Sequence, residues 1–557
     1  MEEKYILSLD IGTTTIRSFI YNSRTEIVGK AVDQVILHYP KSGYVEIDPD
    51  ELWTSVVGVV KSCLQNAKLT AKQVTAMGIS TQRSTFITWS RSTGKPFHRF
   101  ITWKDIRADE LVRQWNDSYT WKLFKLGAYI LFVVSRSKRF CAGSVLKFSN
   151  NQTTLRLHWA LLNIPELKAA LQKNDALFGT LDTWLLYKMT GSKLHMTDVS
   201  SASATGFFDP FTMQWSSWVM SFFDIPQTPL PKVVDTVGEH FTSTAEEIWG
   251  HGIPIRCVVS VIADQTASMW GSCCFNVGDV KLTMGTGTFL NINTGSTPHA
   301  SVSGLYPVVG WRLGDELIYS AEGGNNDTAS IIKWAQNLGL FDNPQDTAEI
   351  AMSVPDTDDV FFIPAFSGLG PPYNDGTAAS GFVGVKPSTR APHLVRAVLE
   401  ALAFRTAQLA ACARRETAFD FSAIRLDGGV SNNDFIVQLV ADLTGLCVER
   451  PAQVEMSSLG CAHIVGLHLG IFSSKEELKS LRKVSTVFTP RPHVKKAYEG
   501  TIARWEDAIK RMRGWYLGNK SSQSQSSVHD SNNSINSQNS FKVTSLKKNG
   551  RSKYISK

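Results

Sequence analysis

The chain is 557 residues long, 43% hydrophobic, 10% aromatic and 19% charged. It can therefore bury sizeable cores and, at roughly 100–200 residues per domain, should divide into more than one lobe. Its net charge of +7 is concentrated in two places: residues 520–557 carry seven basic residues and one acid, and residues 119–147 carry six basic residues and no acid, leaving 44 basic against 49 acidic elsewhere. This excludes a basic field over the whole surface, and no nucleic-acid partner is expected.

The longest apolar candidate, residues 129–134 (YILFVV), falls far short of the ~18 residues of a membrane-spanning helix. The start, Met1-Glu2-Glu3-Lys4, is acidic and runs directly into a strand-like segment, unlike a signal or transit peptide. The eight cysteines form no C-x-x-C pair and lie mostly in apolar contexts. They read as buried thiols, Cys273-Cys274 included, in a reducing compartment. A cytoplasmic protein is expected.

The first element is an apolar β run over residues 5–10, a Gly12-Thr13-Thr14-Thr15 turn and a second β run over 16–21. The pattern returns 273 residues later as a run over 280–284, the turn Gly285-Thr286-Gly287-Thr288 and a run over 289–292. Each is a hairpin pattern whose tip exposes backbone N–H groups and short hydroxyls, donors suited to phosphate oxygens. One such turn is an ordinary hairpin. Two at corresponding places point to two related lobes, each opening on a phosphate-binding hairpin.

Between the hairpins, residues 122–139 mix basic and apolar side chains. They read either as a membrane-surface or partner contact or as a lid packed on the core with solvated charges, and the lid is preferred. Residues 255–262 (IRCVVSVI) form a strand-like run leading to Ala263-Asp264-Gln265. A carboxylate there would sit at a strand tip, where α/β folds bind ligands. Spacing alone favours Asp264 as the cap of a helix over 266–270, but its place just ahead of the second hairpin, in a two-lobed chain, favours a catalytic base.

Residues 392–415 have helical apolar spacing, with Pro at the start and arginines at the end. The Asp427-Gly428-Gly429 turn precedes a helix-like run over 435–443 and suits a nucleotide's base, ribose or α-phosphate. Residues 505–515 read as the last helix. Beyond Leu517 the composition turns to Ser, Asn and Gln, so residues 519–557 are expected to be a disordered basic tail.

These motifs together resemble the FGGY carbohydrate kinases, among them the glycerol kinase branch, and most closely the animal glycerol kinase 5 subfamily. The likeness rests on Leu9 to Arg17, Thr81-Gln82-Arg83, Trp103 with Arg107, Phe178 to Leu185, Ala263-Asp264-Gln265, Met284-Gly285-Thr286-Gly287, Pro364 to Gly370 and Asp427-Gly428-Gly429. The resemblance implies an α/β protein with the duplicated, two-lobed actin/hexokinase-like (ribonuclease H-like) fold and an interlobe cleft. Its N-terminal lobe would span 1–260 and its C-terminal lobe 261–518.

It further implies ATP-dependent phosphorylation of glycerol to glycerol 3-phosphate, with Asp264 as general base. By the same resemblance, Thr13, Thr14, Thr15, Arg17 and Thr286 hold the nucleotide phosphates, and Gly429 and Asn433 contact the adenosine part. Asp10 helps hold Mg²⁺ through water. The acceptor positions are Arg83, Ser84, Trp103, Asp264, Gln265 and Phe289.

Ser84 stands where glycerol kinases usually have Glu, and Lys147 where they have Tyr. Ala329 and Lys333 stand where Gly and Gln are common. Losing a hydrogen bond to a charged group costs roughly 1.5–3 kcal/mol. Two further readings therefore stay open: a kinase for another small polyol or sugar, and a catalytically weak kinase-like binding protein. Homo-oligomerisation is left open.

Overall fold

The structure is a computed structural model whose described residues are 3–241, 258–302 and 304–517. The expected basic tail over 519–557, residues 255–257 of the strand-like run and Cys257 lie outside them.

Both expected hairpins form. Tyr5–Ile11 pairs antiparallel with Thr15–Tyr21, and the Gly12 N–H closes the turn on the Thr15 carbonyl at 2.9 Å. Val280–Met284 pairs antiparallel with Thr288–Gly295, closed by the Gly285 N–H on the Gly287 carbonyl at 2.9 Å.

Each hairpin sits in a sheet of the same plan. Its second strand pairs with an antiparallel third, Ile27–Gln34 in one sheet and Glu316–Asn325 in the other. Its first strand has two parallel neighbours in succession: Val74–Thr81 then Val258–Ala263, and Ala423–Asp427 then Cys447–Pro451. The second sheet gains the edge strands Tyr306–Leu313 and Val484–Phe488. The first strand of each hairpin is buried almost throughout, as expected for strands covered on both faces. This repeat is the duplication that the two turns announce. A further sheet, containing Phe86–Ser90 and Ala176–Thr180, enlarges the first lobe.

The chain does not leave the first lobe for good at residue 260. Val258–Ala263 is hydrogen-bonded to Val74–Thr81, so the expected division at 260/261 falls inside a strand of the first sheet. Much later, the Met456–His468 helix packs back onto Tyr5–Ile11 and Val74–Thr81. This helix also crosses Asp264–Gly271 at very close range. A β-carbon at Gly271 would collide with the Met456 carbonyl, and one at Gly460 with the Ala267 carbonyl. Ile6, Phe19, Trp270, Met456 and Val465 bury around this crossing.

The helices Ala391–Thr417 and Asp434–Thr444 form where expected. The last helix, Pro492–Met512, starts earlier than the expected 505. Its first half (PHVKKAYEG) is largely polar and solvent-facing, so the apolar signal begins only near Trp505. The basic stretch forms two helices, Tyr119–Ser135 and Lys138–Val145. Cys63, Cys141, Cys273, Cys274 and Cys461 are buried free thiols, and Cys447 is half-buried. No helix among the described residues is long and apolar enough to cross a membrane.

Candidate active site

Two strand ends deliver two carboxylates to one edge of the first sheet. Asp10 is the penultimate residue of Tyr5–Ile11, and Asp264 directly follows Val258–Ala263. Val74–Thr81 lies between these strands and parallel to both, with Asp10 opposite Ser80 and Ala263 opposite Thr81. Two strand spacings put the two backbones roughly 10 Å apart, at the end of the sheet where α/β folds bind ligands.

Asp10 is buried. Ser80 Oγ donates to its Oδ1 at 2.8 Å, and Arg17 Nη1 lies 3.3 Å from its Oδ2. Arg17 is shared with Glu455, 3.2 Å from Nε. Burial raises the Asp10 pKa, against Arg17 and Ser80. A hard, buried carboxylate with partial charge compensation fits a hydrated Mg²⁺, which takes one or two carboxylates and keeps most of its water. Among the described residues, no group of three or more His, Cys, Asp or Glu side chains forms a metal cage.

Asp264 opens the Asp264–Gly271 helix, and its Oδ1 accepts from the Gln265 N–H at 2.7 Å. Arg83 Nε lies 3.6 Å from the same oxygen. Burial pushes the Asp264 pKa up to about 6; Arg83 and Lys281 oppose the shift and Asp10 adds to it. A carboxylate tuned in this way can take a proton near neutral pH.

Two neighbours were missed in the sequence. Glu322 accepts from Arg83 Nη2 at 2.7 Å, and its other oxygen accepts from Asn291 Nδ2 at 2.7 Å. Arg83 thus ties the first lobe to the second. The available signal was an acid in a strand bordered by Gly323-Gly324. Lys281 is fully buried; its Nζ donates to Gln265 Oε1 at 2.6 Å and lies 3.9 Å from Asp427 Oδ1. Here the signal was a lysine between Val280 and Leu282, in a strand leading to a phosphate hairpin. Ser268 hydrogen-bonds the other Asp427 oxygen.

The first hairpin meets the acceptor side through Trp103, whose Nε1 donates to Thr13 Oγ1 at 2.9 Å. The Trp103 ring stands edge-on to Phe289 of the second lobe, with 6.1 Å between centroids. Thr14 is exposed at the hairpin tip, and Thr15 begins the return strand. In the second hairpin the Thr286 carbonyl accepts from the Thr328 N–H at 3.0 Å, just ahead of the Ala329–Asn337 helix. Gly428 has φ +90°, and a β-carbon there would lie 2.6 Å from the Met284 carbonyl. Glycine therefore lets the Asp427 turn rest on the second hairpin, presenting Gly429 to solvent.

Some expected side chains are engaged elsewhere. Ser84 has φ +61°, and its buried hydroxyl donates to the Ala204 carbonyl at 2.8 Å. Asn433 caps the Asp434–Thr444 helix, accepting from the Ile436 N–H at 3.1 Å and donating to Thr347 Oγ1 at 2.9 Å. Lys147 donates to the Asn374 carbonyl at 2.8 Å, and Lys333 to Gln336 Oε1 at 3.0 Å. The geometry gathers Arg83, Asp264, Gln265 and Glu322 in one group, and Thr13, Trp103 and Phe289 in another.

Comparison with known proteins identifies the family and the fold. The N-terminal domain model of the FGGY family of carbohydrate kinases matches residues 5–271, and the C-terminal domain model matches residues 280–468. Glycerol kinase 5 of Danio rerio is 50% identical over 519 residues, covering 92% of this chain and 97% of its own length. Glycerol kinase 2 of Thermotoga maritima is 34% identical over 513 residues, covering 92% and 99%. A crystal structure of Plasmodium falciparum glycerol kinase with ADP has a TM-score of 0.79 at 28% identity, covering 92% of this chain and 98% of that one. The chain belongs to the FGGY family of carbohydrate kinases, within its glycerol kinase 5 subfamily, and is a phosphotransferase with an alcohol acceptor.

Proposed function

We propose that this phosphotransferase moves the γ-phosphoryl group of ATP to a terminal hydroxyl of glycerol, giving glycerol 3-phosphate and ADP. The observation that carries this reading is Asp264, a strand-tip carboxylate beside Arg83 with its pKa pushed up to about 6. Asp264 takes the proton of the attacking hydroxyl while the new O–P bond forms and the β–γ bridge breaks. Arg83, Gln265, Trp103 and Phe289 orient the acceptor. Thr13, Thr14, Thr15, Arg17 and Thr286 hold the phosphates, and Gly429 and Asn433 border the adenosine.

ADP in the Plasmodium falciparum relative supports the nucleotide assignment. Asp10 is the residue to hold Mg²⁺ through water; when bound, the ion would neutralise phosphate charge. The proposed division of labour gives acceptor binding and the first hairpin to the N-terminal lobe, and the second hairpin and adenosine site to the C-terminal lobe. Val258–Ala263 carries the base from the first sheet into the cleft. A cytoplasmic location belongs to this reading.

A second reading, another small polyol or sugar as acceptor, is favoured by Ser84, whose hydroxyl is bound to Ala204 and offers the acceptor no carboxylate. The test is turnover of glycerol, other polyols and sugars with Mg-ATP, wild type beside Asp264→Asn. Glycerol turnover that falls by about 10²–10⁴ in Asp264→Asn supports the first reading. Turnover of a different acceptor alone replaces it with the second. Nucleotide-induced thermal stabilisation with no turnover of any acceptor defeats both and leaves a binding protein.

A further inference from the structure

The Tyr119–Ser135 helix is apolar on two opposite faces. Its inner face packs on the first lobe. Trp121 is fully buried, its ring centroid 4.8 Å from Phe124 and 4.3 Å from Phe148. Its outer face presents Leu123, Leu126, Ile130, Val133 and Val134, each 44–79% exposed. Their spacing of three and four residues aligns them in one stripe along the helix. Tyr119 and Tyr129, 86% and 55% exposed, border it. Single exposed apolar residues are ordinary, but a contiguous stripe marks a surface that something else covers.

The charge around the stripe indicates what covers it. Lys122, Arg136 and Lys138 are exposed beside it or at its C-terminal end, and residues 118–165 contain no acid. Arg139 is ion-paired with Asp209 at 2.6 Å and contributes less. A second copy of this chain would set these cations against their own kind. An anionic lipid surface accepts every part of the face. Apolar side chains enter the acyl boundary, tyrosines sit at headgroup level, and lysine and arginine pair with headgroup phosphates and carboxylates.

We propose that the Tyr119–Ser135 helix docks the protein in the plane of a bilayer that contains anionic lipid. The helix lies on the membrane and does not cross it. Lys147, which closes the basic stretch, reaches the Asn374 carbonyl of the second lobe. This inference is independent of the acceptor identity.

The test is flotation of the full chain with vesicles of phosphatidylcholine alone and of phosphatidylcholine containing phosphatidylserine. Wild type should float with the phosphatidylserine vesicles and several-fold less with phosphatidylcholine alone. Binding should weaken as salt rises from about 0.1 M to about 1 M, where the screening length shrinks from ~10 to ~3 Å. Leu126→Glu with Ile130→Glu and Val134→Glu should lower bound protein about tenfold or more. Lys122→Glu with Arg136→Glu should lower it several-fold. The substituted side chains are exposed, and unchanged thermal unfolding checks that the fold survives. Should the triple variant misfold, the charge pair and Leu126→Ser with Ile130→Ser give the same readout.

Three results would overturn the proposal. One is no flotation of wild type with phosphatidylserine vesicles. Another is undiminished flotation of folded variants, which would assign binding elsewhere, as to the basic residues 520–557. The third is a wild-type dimer in sedimentation velocity that the triple variant dissociates, with no vesicle binding by either.

Discussion

Lys281 and Gln265 are joined by a 2.6 Å hydrogen bond from the lysine ammonium to the amide oxygen, with Lys281 fully shielded from water. Burial pulls the lysine pKa down, while Asp427, Asp264 and Glu322 favour its charged form. The bond fixes the amide oxygen of Gln265, so that its NH₂ group is the donor left for the proposed acceptor. Lys281→Met should destabilise the protein by about 3–5 kcal/mol, because one partner of a buried charged group is removed. In enzyme that remains folded, the acceptor KM should rise while the ATP KM changes little. Thermal unfolding and initial-rate kinetics check the two parts separately.

On the proposed mechanism, the pH dependence of the reaction follows from Asp264. A base works only when deprotonated, and burial has pushed this carboxyl up to about 6. The rate constant kcat/KM should therefore level off above about pH 7 and fall roughly tenfold per pH unit well below 6. Arg83 holds that pKa down. Arg83→Gln should move the acid limb to higher pH as well as weaken acceptor binding. An acid limb left unmoved in that variant would show that another group titrates.

Ser84 gives a prediction of the opposite kind. Its hydroxyl bonds the Ala204 carbonyl, and its own carbonyl accepts from Arg156 Nη2 at 2.8 Å. The side chain supports the wall of the site and has no hydroxyl left facing the cleft. Ser84→Ala should cost about 0.5–1.5 kcal/mol of stability through loss of a partly buried hydrogen bond, with the acceptor KM little changed. A large rise in that KM would return Ser84 to direct acceptor contact.

The helix crossing beneath Asp264 can be tested with two glycines. A β-carbon at Gly460 meets the Ala267 carbonyl, whereas one at Gly500, in the Pro492–Met512 helix, meets nothing within 4 Å. Gly460→Ala should cost at least about 1–3 kcal/mol and reduce kcat, because Asp264 rides on the displaced helix. Gly500→Ala should gain about 0.5–1 kcal/mol through reduced chain entropy and leave kcat alone. Thermal unfolding with rate measurements on both variants separates local crowding from helix propensity.

Much of this organisation is legible along the chain because it is local. A G-T-x-T turn between apolar runs signals a hairpin wherever it occurs, and two of them signal the duplicated sheet. Asp264 at the end of the 255–262 run and glycine at 428 are local as well. The lobe division was less legible, because strand pairing is a long-range choice. Nothing near residue 260 says that Val258–Ala263 joins Val74–Thr81. The beginning of the last helix was hidden because its first turns face solvent and carry no apolar period.

The sequence alone determined the family, the two hairpins and the concentration of positive charge into two segments, since each is written in residues close together. The tertiary structure decided which residues surround Asp264. Arg83 meets Glu322 from 239 positions away, and Lys281 reaches both Gln265 and Asp427. It also decided that the basic stretch folds into two helices, the first with one apolar face packed on the core and the other open to solvent. Spacing along a chain cannot specify such partners, because burial and ion pairing depend on which surfaces the folded lobes bring together.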